Sequence, residues 1–143
     1  MSKLFERVLT IEIQEDLHRS SVKKGKEEGR NNITYFLGNS VEILPHIVPS
    51  EPGMYFIDAH ISGSDSGWNG KEFVPLMEEL KIILKKNKGT NVFILDDARF
   101  WVGSNKPHDW AHISVESVLE LFKKEGVEVK AHYLENDRYY VLT

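Results

Sequence analysis

Two short apolar runs that stop at carboxylates constrain the fold of this chain more than any other feature. Residues 54–57 lead into Asp58, and residues 92–95 lead into Asp96 and Asp97. A few apolar residues flanked by turn formers are typical of a buried strand in a parallel sheet. Because a charged side chain is costly inside such a strand, each carboxylate marks where the strand emerges. Ligands bind at the carboxyl ends of strands in open α/β sheets, so these residues mark a candidate site.

Strand and helix patterns alternate along the chain, which predicts an α/β fold with a mostly parallel sheet. The predicted elements are a helix tail at 2–7, a strand at 8–13, a helix at 14–26, a strand at 33–37, a helix at 41–47, a strand at 55–57, a helix at 72–86, a strand at 92–95, a helix at 114–124, and a hairpin of 127–134 with 138–142. Gly25 and Gly29 are predicted to end the first long helix, and Ser40 to cap the next one. Asn136 and Asp137 suit the hairpin turn.

Composition narrows the class of function. The chain has 143 residues, the size of one domain, and we interpret residues 1–143 as a single domain. Its net charge of −4 gives no basic field for nucleic acid or an anionic membrane surface. The absence of cysteine excludes disulfides, thiolate metal sites and thiol nucleophiles. No run approaches the ~18 apolar residues of a membrane span, and the N-terminus lacks a secretory signal, so we expect a cytoplasmic protein.

Four stretches, taken in order, carry a resemblance to a known family. They are Thr-Ile-Glu-Ile at 10–13, Gly-Asn-Ser-Val-Glu-Ile-Leu-Pro at 38–45, Tyr-Phe-Ile-Asp-Ala-His at 55–60 and Ile-Leu-Asp-Asp at 94–97. The chain resembles the class I S-adenosylmethionine-dependent methyltransferases, specifically their small metal-assisted O-methyltransferases. The resemblance spans nearly the whole chain. It implies a Rossmann-like methyltransferase fold, with a mostly parallel sheet and a C-terminal antiparallel hairpin.

The resemblance implies that two of these stretches bind the cofactor, S-adenosylmethionine. Glu12 ends the first strand and would bind the ribose hydroxyls, since two acceptor oxygens suit a vicinal diol. Gly38, Asn39 and Ser40 would line the adenine pocket.

The other two stretches would supply the catalytic chemistry. Asp58, Asp96 and Asp97 would hold a divalent cation such as Mg²⁺, because carboxylates are hard oxygen donors. In the resembling enzymes the metal positions the substrate oxygens and lowers the pKa of the attacking hydroxyl. Asp58 and His60 are the candidate catalytic residues. For His60 three roles stay open: metal ligand, base for that hydroxyl, or anchor of the following loop. Asp96 or Asp97 could equally cap a turn or pair with Arg99.

One part of the family pattern is missing. In that family a strand and a glycine-rich turn precede all four stretches, whereas this sequence has no glycine before Gly25. The missing strand normally lies at the centre of the sheet, between the strands ending at Glu12 and Asp58. A vacant centre would leave two unpaired backbone edges. We therefore expect that these two strands pair directly, or that a neighbouring chain fills the gap, as in a homodimer; the domain reads as a truncated methyltransferase.

Two loops have open interpretations. Residues 61–71 contain three glycines and follow the candidate site, so they form either a binding loop or a plain surface loop. Trp68, Trp101 and Trp110 all fall in loops after the two strand ends. They would wall an acceptor pocket, form a partner interface, or pack in the interior.

Three functions are consistent with these features, and whether the chain is an enzyme stays open. The first is methyl transfer from S-adenosylmethionine to a small hydroxylated or sugar-like acceptor, by an enzyme or its remnant. The second is a non-catalytic binding or assembly module that has lost the cofactor site. The third is a metal-dependent hydrolase using Asp58 and His60, but the Gly-Asp and Asn-His dipeptides of such enzymes do not occur.

Overall fold

The computed structural model describes residues 4–58, 74–103 and 108–143. The chain alternates strands and helices, as the sequence predicts. In order they are β1 (Val8–Glu12), α1 (Glu15–Glu27), β2 (Ile33–Leu37), α2 (Ser40–Ile47), β3 (Met54–Ile57), α3 (Leu76–Lys86), β4 (Val92–Leu95), α4 (Ala98–Trp101), a short 3₁₀ turn (His108–Trp110), α5 (Val115–Lys124), β5 (Ala131–Glu135) and β6 (Arg138–Leu142). None of the helices in these ranges is long and apolar enough to cross a membrane.

The described strands form two sheets. One pairs β1 with β2 in parallel, and the other has the order β3-β4-β6-β5. In the larger sheet β3 and β4 are parallel, whereas β6 runs antiparallel to both β4 and β5. Asn136 and Asp137 form the hairpin turn with φ angles of 48° and 63°, the left-handed geometry that the sequence predicts there.

The main core lies on one face of the four-stranded sheet. Phe93 of β4 and Val141 of β6 are completely buried there, under α3 and α5. The rings of Phe93 and Phe122 meet edge to face at 5.1 Å. The opposite face of the sheet, with Phe56, Ile94 and Tyr140, stays partly exposed.

The two-stranded sheet packs differently. Helix α1 lies against it through Gly25, where a Cβ atom would meet the Tyr35 Oη atom at only 2.0 Å. Helix α2 contacts both β1 and α3, and so links the two sheets. No residue of β1, β2 or α2 is buried.

Several predicted local features are corrected. Residues 4–7 are not helical, and Gly25 lies inside α1 rather than ending it, because it makes room for Tyr35. Asn39, not Ser40, caps α2: its side-chain oxygen accepts a hydrogen bond from the Val41 N–H at 3.0 Å. Helix α3 begins at Leu76, after a proline that cannot donate a backbone hydrogen bond. The first hairpin strand begins four residues later than predicted, at Ala131.

The expected direct pairing of the strands that end at Glu12 and Asp58 is not observed. Among the described strands, β1 pairs with β2 alone and β3 with β4 alone. The alternative, a neighbouring chain between them, stays a prediction.

Candidate cofactor site

The ends of β1 and β2 bring together the residues predicted to bind a cofactor. The Gly38 N–H donates to the Glu12 carbonyl oxygen at 2.9 Å, so the two strands end side by side. Asn39 and Ser40 follow at once and begin α2. The structure therefore places Glu12 and residues 38–40 at one edge of the two-stranded sheet.

Among the described residues, one carboxylate oxygen of Glu12 accepts a hydrogen bond and the other accepts none. Its Oε1 atom accepts a hydrogen bond from the Gln14 N–H at 2.8 Å, just before α1. Its Oε2 atom accepts none from the described residues, and the side chain is half-buried. This arrangement fixes the orientation of the carboxylate and leaves one strong acceptor for a ligand hydroxyl.

The turn between β2 and α2 depends on a glycine and an asparagine. Gly38 has a φ of 142°, a conformation that side chains rarely adopt, and a Cβ there would also lie 3.2 Å from Ile43 Cδ1. The Asn39 side chain serves as the helix cap, so its oxygen is used within the protein. The turn therefore requires glycine at position 38, both for its backbone conformation and for the space that Ile43 takes up.

Glu79 of α3 is a buried carboxylate beside the candidate site, and the sequence pattern did not single it out. Its side chain is only 3% exposed, and its Oε2 atom has no hydrogen-bond partner in the described parts of the chain. Burial raises the pKa of Glu79 to about 7; a hydrogen bond with the Ser40 side chain lowers it, and the charge of Asp58 raises it. Glu79 therefore lies close to Ser40 at the start of α2 and within electrostatic range of Asp58 after β3. Its position three residues after Leu76, within the apolar stripe of the helix, was the available signal.

The two carboxylates that follow β4, Asp96 and Asp97, form ion pairs with arginines. The Asp96 Oδ1 atom accepts from the Asp97 N–H at 3.0 Å and lies 3.3 Å from Arg138 Nε. Asp97, with a left-handed φ of 56°, pairs with Arg99 at 2.6 Å. The alternative interpretation, a local ion pair with Arg99, is confirmed.

The predicted metal centre does not form from the described residues. Those residues contain no group of three histidine or acidic side chains that could hold a metal ion. Asp96 and Asp97 face guanidinium groups, whose charge satisfies the carboxylates and repels a cation. Asp58 is exposed at the end of β3, and His60 lies outside the described residues.

Two of the three tryptophans are core residues rather than pocket walls. Trp101 is fully buried, packs edge to face on Tyr139 at 5.4 Å, and its indole N–H donates to the Asp96 carbonyl at 3.3 Å. Trp110 is 7% exposed and its ring lies 5.5 Å from that of Phe100. Trp68 and the loop at 61–71 lie outside the described residues.

Comparison with known proteins identifies the fold. No protein-family model matches the chain, and no curated protein does. Among solved structures, the O-methyltransferase TomG from Streptomyces achromogenes, in complex with SAM, matches with a TM-score of 0.59 and 18% identity over 95% of this chain and 60% of TomG. SMU.1697c from Streptococcus mutans, in complex with SAH, matches with a TM-score of 0.58 and 15% identity over 99% of this chain and 77% of that protein.

A third solved structure has a similar fold. Fibrillarin from Aeropyrum pernix, with natively bound S-adenosyl-L-methionine, matches with a TM-score of 0.55 and 14% identity over 95% of this chain and 54% of fibrillarin. The chain spans 62% of the E. coli protein yhhF and 37% of Trm5b from Pyrococcus abyssi. These matches confirm the Rossmann-like methyltransferase fold.

Proposed function

We propose that this chain is an S-adenosylmethionine-binding methyltransferase domain. The observation that carries the proposal is the shared fold with three proteins whose structures hold SAM or SAH. The site geometry supports it, because Glu12 and the turn at 38–40 adjoin at one sheet edge. In this proposal the available oxygen of Glu12 accepts a ribose hydroxyl, and Gly38, Asn39 and Ser40 border the adenine.

The proposed acceptor is a small hydroxylated or sugar-like molecule. TomG, an O-methyltransferase, supports this choice. When bound, the cofactor supplies the methyl group. The acceptor hydroxyl has to lose its proton, and we assign that proton to Asp58, which is exposed at the end of β3, or to His60 two residues later. Because Asp96 and Asp97 pair with arginines, the proposal contains no metal step.

The second candidate is a non-catalytic binding or assembly module. The observation that favours it is the division of the strands into two sheets, which leaves β1 and β3 with one partner each among the described strands. Such a module would keep the fold without binding the cofactor.

Calorimetric titration with S-adenosylmethionine separates the two candidates. We expect binding, and we expect Glu12→Gln to weaken it about tenfold, because a hydrogen bond to a charged group becomes a neutral one. Glu120→Gln, on the exposed side of α5, is the matched control and should leave binding unchanged. Absence of binding at millimolar cofactor would reject the methyltransferase proposal and favour the module. A repeat of the titration with Mg²⁺ present should give the same affinity for S-adenosylmethionine. Tighter binding with Mg²⁺ would support the predicted metal site after all.

A further inference from the structure

Glu79 occupies a position in α3 where the helix otherwise buries apolar side chains. Its neighbours Leu76, Leu80 and Ile83 are buried, and Glu79 itself is only 3% exposed. Its Oε2 atom has no hydrogen-bond partner in the described parts of the chain. A buried carboxyl oxygen without a partner lowers stability, whereas an apolar side chain of similar size at this position would not. Its presence therefore points to a role other than packing.

A hydrogen bond connects Glu79 to the candidate cofactor site. The partner is the side chain of Ser40, the first residue of α2. Helices α2 and α3 pack against each other, which brings a side chain of α3 to the turn that follows β2. Ser40 is half-buried whereas Glu79 is almost fully buried, so a ligand at this turn would contact Ser40 rather than Glu79.

The Ser40 hydroxyl is the donor in this hydrogen bond. The bond lowers the pKa of Glu79, so it stabilises the ionised carboxylate, which can only accept. A serine hydroxyl has a single proton to donate and two lone pairs that accept. Because its proton is directed to Glu79, the Ser40 oxygen presents only acceptor lone pairs to a ligand.

The other side chains of the turn do not supply such an acceptor. Gly38 has no side chain, and the side-chain oxygen of Asn39 accepts a hydrogen bond from the Val41 N–H at 3.0 Å. The remaining polar group of Asn39 is its amide nitrogen, which only donates. Among the side chains of residues 38–40, Ser40 is therefore the acceptor that a ligand can use.

Adenine has one group that can donate to this acceptor. When adenine is attached to ribose through N9, its other ring nitrogens accept hydrogen bonds, and its 6-amino group carries its only N–H bonds. An acceptor without a proton to donate therefore selects the 6-amino group. A hydroxyl that is free to rotate would be less selective, because it could also donate to a ring nitrogen.

We propose that Glu79 is a positioning residue of the cofactor site, which holds the Ser40 hydroxyl proton in a hydrogen bond and so makes Ser40 an acceptor for the 6-amino group of adenine. This inference rests on the proposed function, the binding of S-adenosylmethionine. Glu79 does not contact the cofactor but acts through Ser40. Its main effect is on the selectivity for adenine, not on the overall affinity.

Calorimetric titration with two ligands measures this selectivity. The ligands are S-adenosylhomocysteine and an analogue in which purine, without the 6-amino group, replaces adenine. The titrations are run at pH 8, above the Glu79 pKa of about 7, so that the carboxylate is mostly ionised. We expect the unmodified chain to bind the purine analogue about tenfold more weakly, because one hydrogen bond is lost and an acceptor stays unpaired.

Three variants test whether Glu79 sets this preference. Glu79→Met removes the acceptor but keeps the size of the side chain, so the preference should fall to about threefold or less as the Ser40 hydroxyl becomes free to rotate. Glu79→Gln keeps an oxygen that accepts the Ser40 proton, so the preference should stay about tenfold. Glu78→Met, on the exposed neighbour, is the matched control and should change neither affinity. Melting temperatures show that each variant is folded.

The outcomes separate a positioning role from a structural one. If Glu79→Met weakens both ligands by the same factor, Glu79 is a structural residue and the inference is wrong. Equal affinity of the unmodified chain for the two ligands would also overturn it, while leaving cofactor binding established. If neither ligand binds at millimolar concentration, the proposed function is rejected and this inference with it.

Two further measurements test the link through Ser40. Ser40→Ala should abolish the preference, and adding Glu79→Met to it should cause no further change in the ratio of affinities. In the free protein, Ser40→Ala should raise the Glu79 pKa further, because the hydrogen bond that lowers it is lost. NMR of the labelled carboxyl carbon measures this pKa. An unchanged value would show that Ser40 does not donate to Glu79, and would overturn the inference without any ligand.

Discussion

The two sheets of this protein are stabilised by different means. In the four-stranded sheet, Phe93 and Val141 are completely buried against α3 and α5. In the two-stranded sheet no strand residue is buried, and α1 packs closely on it where Gly25 meets Tyr35. The candidate cofactor residues lie on the weaker of the two. The four-stranded sheet and its helices therefore supply most of the buried core, whereas the two-stranded sheet carries the proposed binding site.

The largest expected difference comes from truncating one phenylalanine in each sheet. Phe93→Ala should lower the free energy of unfolding by about 3–5 kcal/mol, because it leaves a cavity under Phe122. Phe36→Ala on half-buried β2 should cost about 1–2 kcal/mol, since it removes less buried area. Urea denaturation measures both. Equal costs would show that the two sheets share one core.

Glu79 connects the two parts, and its ionisation should make stability depend on pH. Its pKa rises from 4.5 to about 7 on folding, so the folded state binds more protons between these values. Stability should therefore fall as pH rises from about 4.5 to 7, by about 3 kcal/mol in total. In Glu79→Gln this loss should disappear, so that denaturation curves at pH 5 and at pH 8 give similar free energies of unfolding.

Glu78→Gln is the matched control for that measurement, because Glu78 is the exposed neighbour on the same helix. It should leave the pH dependence unchanged. If Glu79→Gln loses as much stability as the unmodified chain between pH 5 and pH 8, the Glu79 carboxyl is not the buried proton-binding group.

The next largest effect on stability is expected from the close packing of Gly25 on Tyr35, which concerns the two-stranded sheet alone. Gly25→Ala should cost about 1–3 kcal/mol, because the new methyl group would clash with the Tyr35 hydroxyl. In a Tyr35→Phe background the nearest ring atom is 3.1 Å away, and alanine has the better helix propensity, so most of the cost should vanish. Urea denaturation of the unmodified chain, the two single variants and the double variant gives the interaction free energy between positions 25 and 35. The same cost in both backgrounds would contradict the packing that the structure describes.

The strands could be predicted from the sequence better than the site. Short apolar runs such as residues 92–95 stop at carboxylates, so their bounds are visible in the pattern. The pairing of Asp97 with Arg99 was among the predicted alternatives, because the two residues are close in sequence. The pairing of Asp96 with Arg138 was harder to predict, because it joins residues 42 positions apart and depends on the hairpin. Glu79 was missed for a related reason. A single carboxylate in an apolar helical stripe shows its burial only when α2 and β3 are placed beside it.

The smallest expected effects come from the two helix caps, and they test whether the parts unfold together. Asn39→Ala removes the cap of α2, and Ser114→Ala removes the cap of α5, each worth about 1 kcal/mol. Ser114→Ala should lower the global free energy of unfolding, because α5 covers the main core. Asn39→Ala should increase amide exchange in α2 and β1 without changing exchange in β4 and β6. Equal acceleration across all strands in Asn39→Ala would mean that the two-stranded sheet and the four-stranded sheet form one cooperative unit. The local response is expected because α2 has no buried residue, so its loss removes little of the apolar contact that holds the four-stranded sheet together.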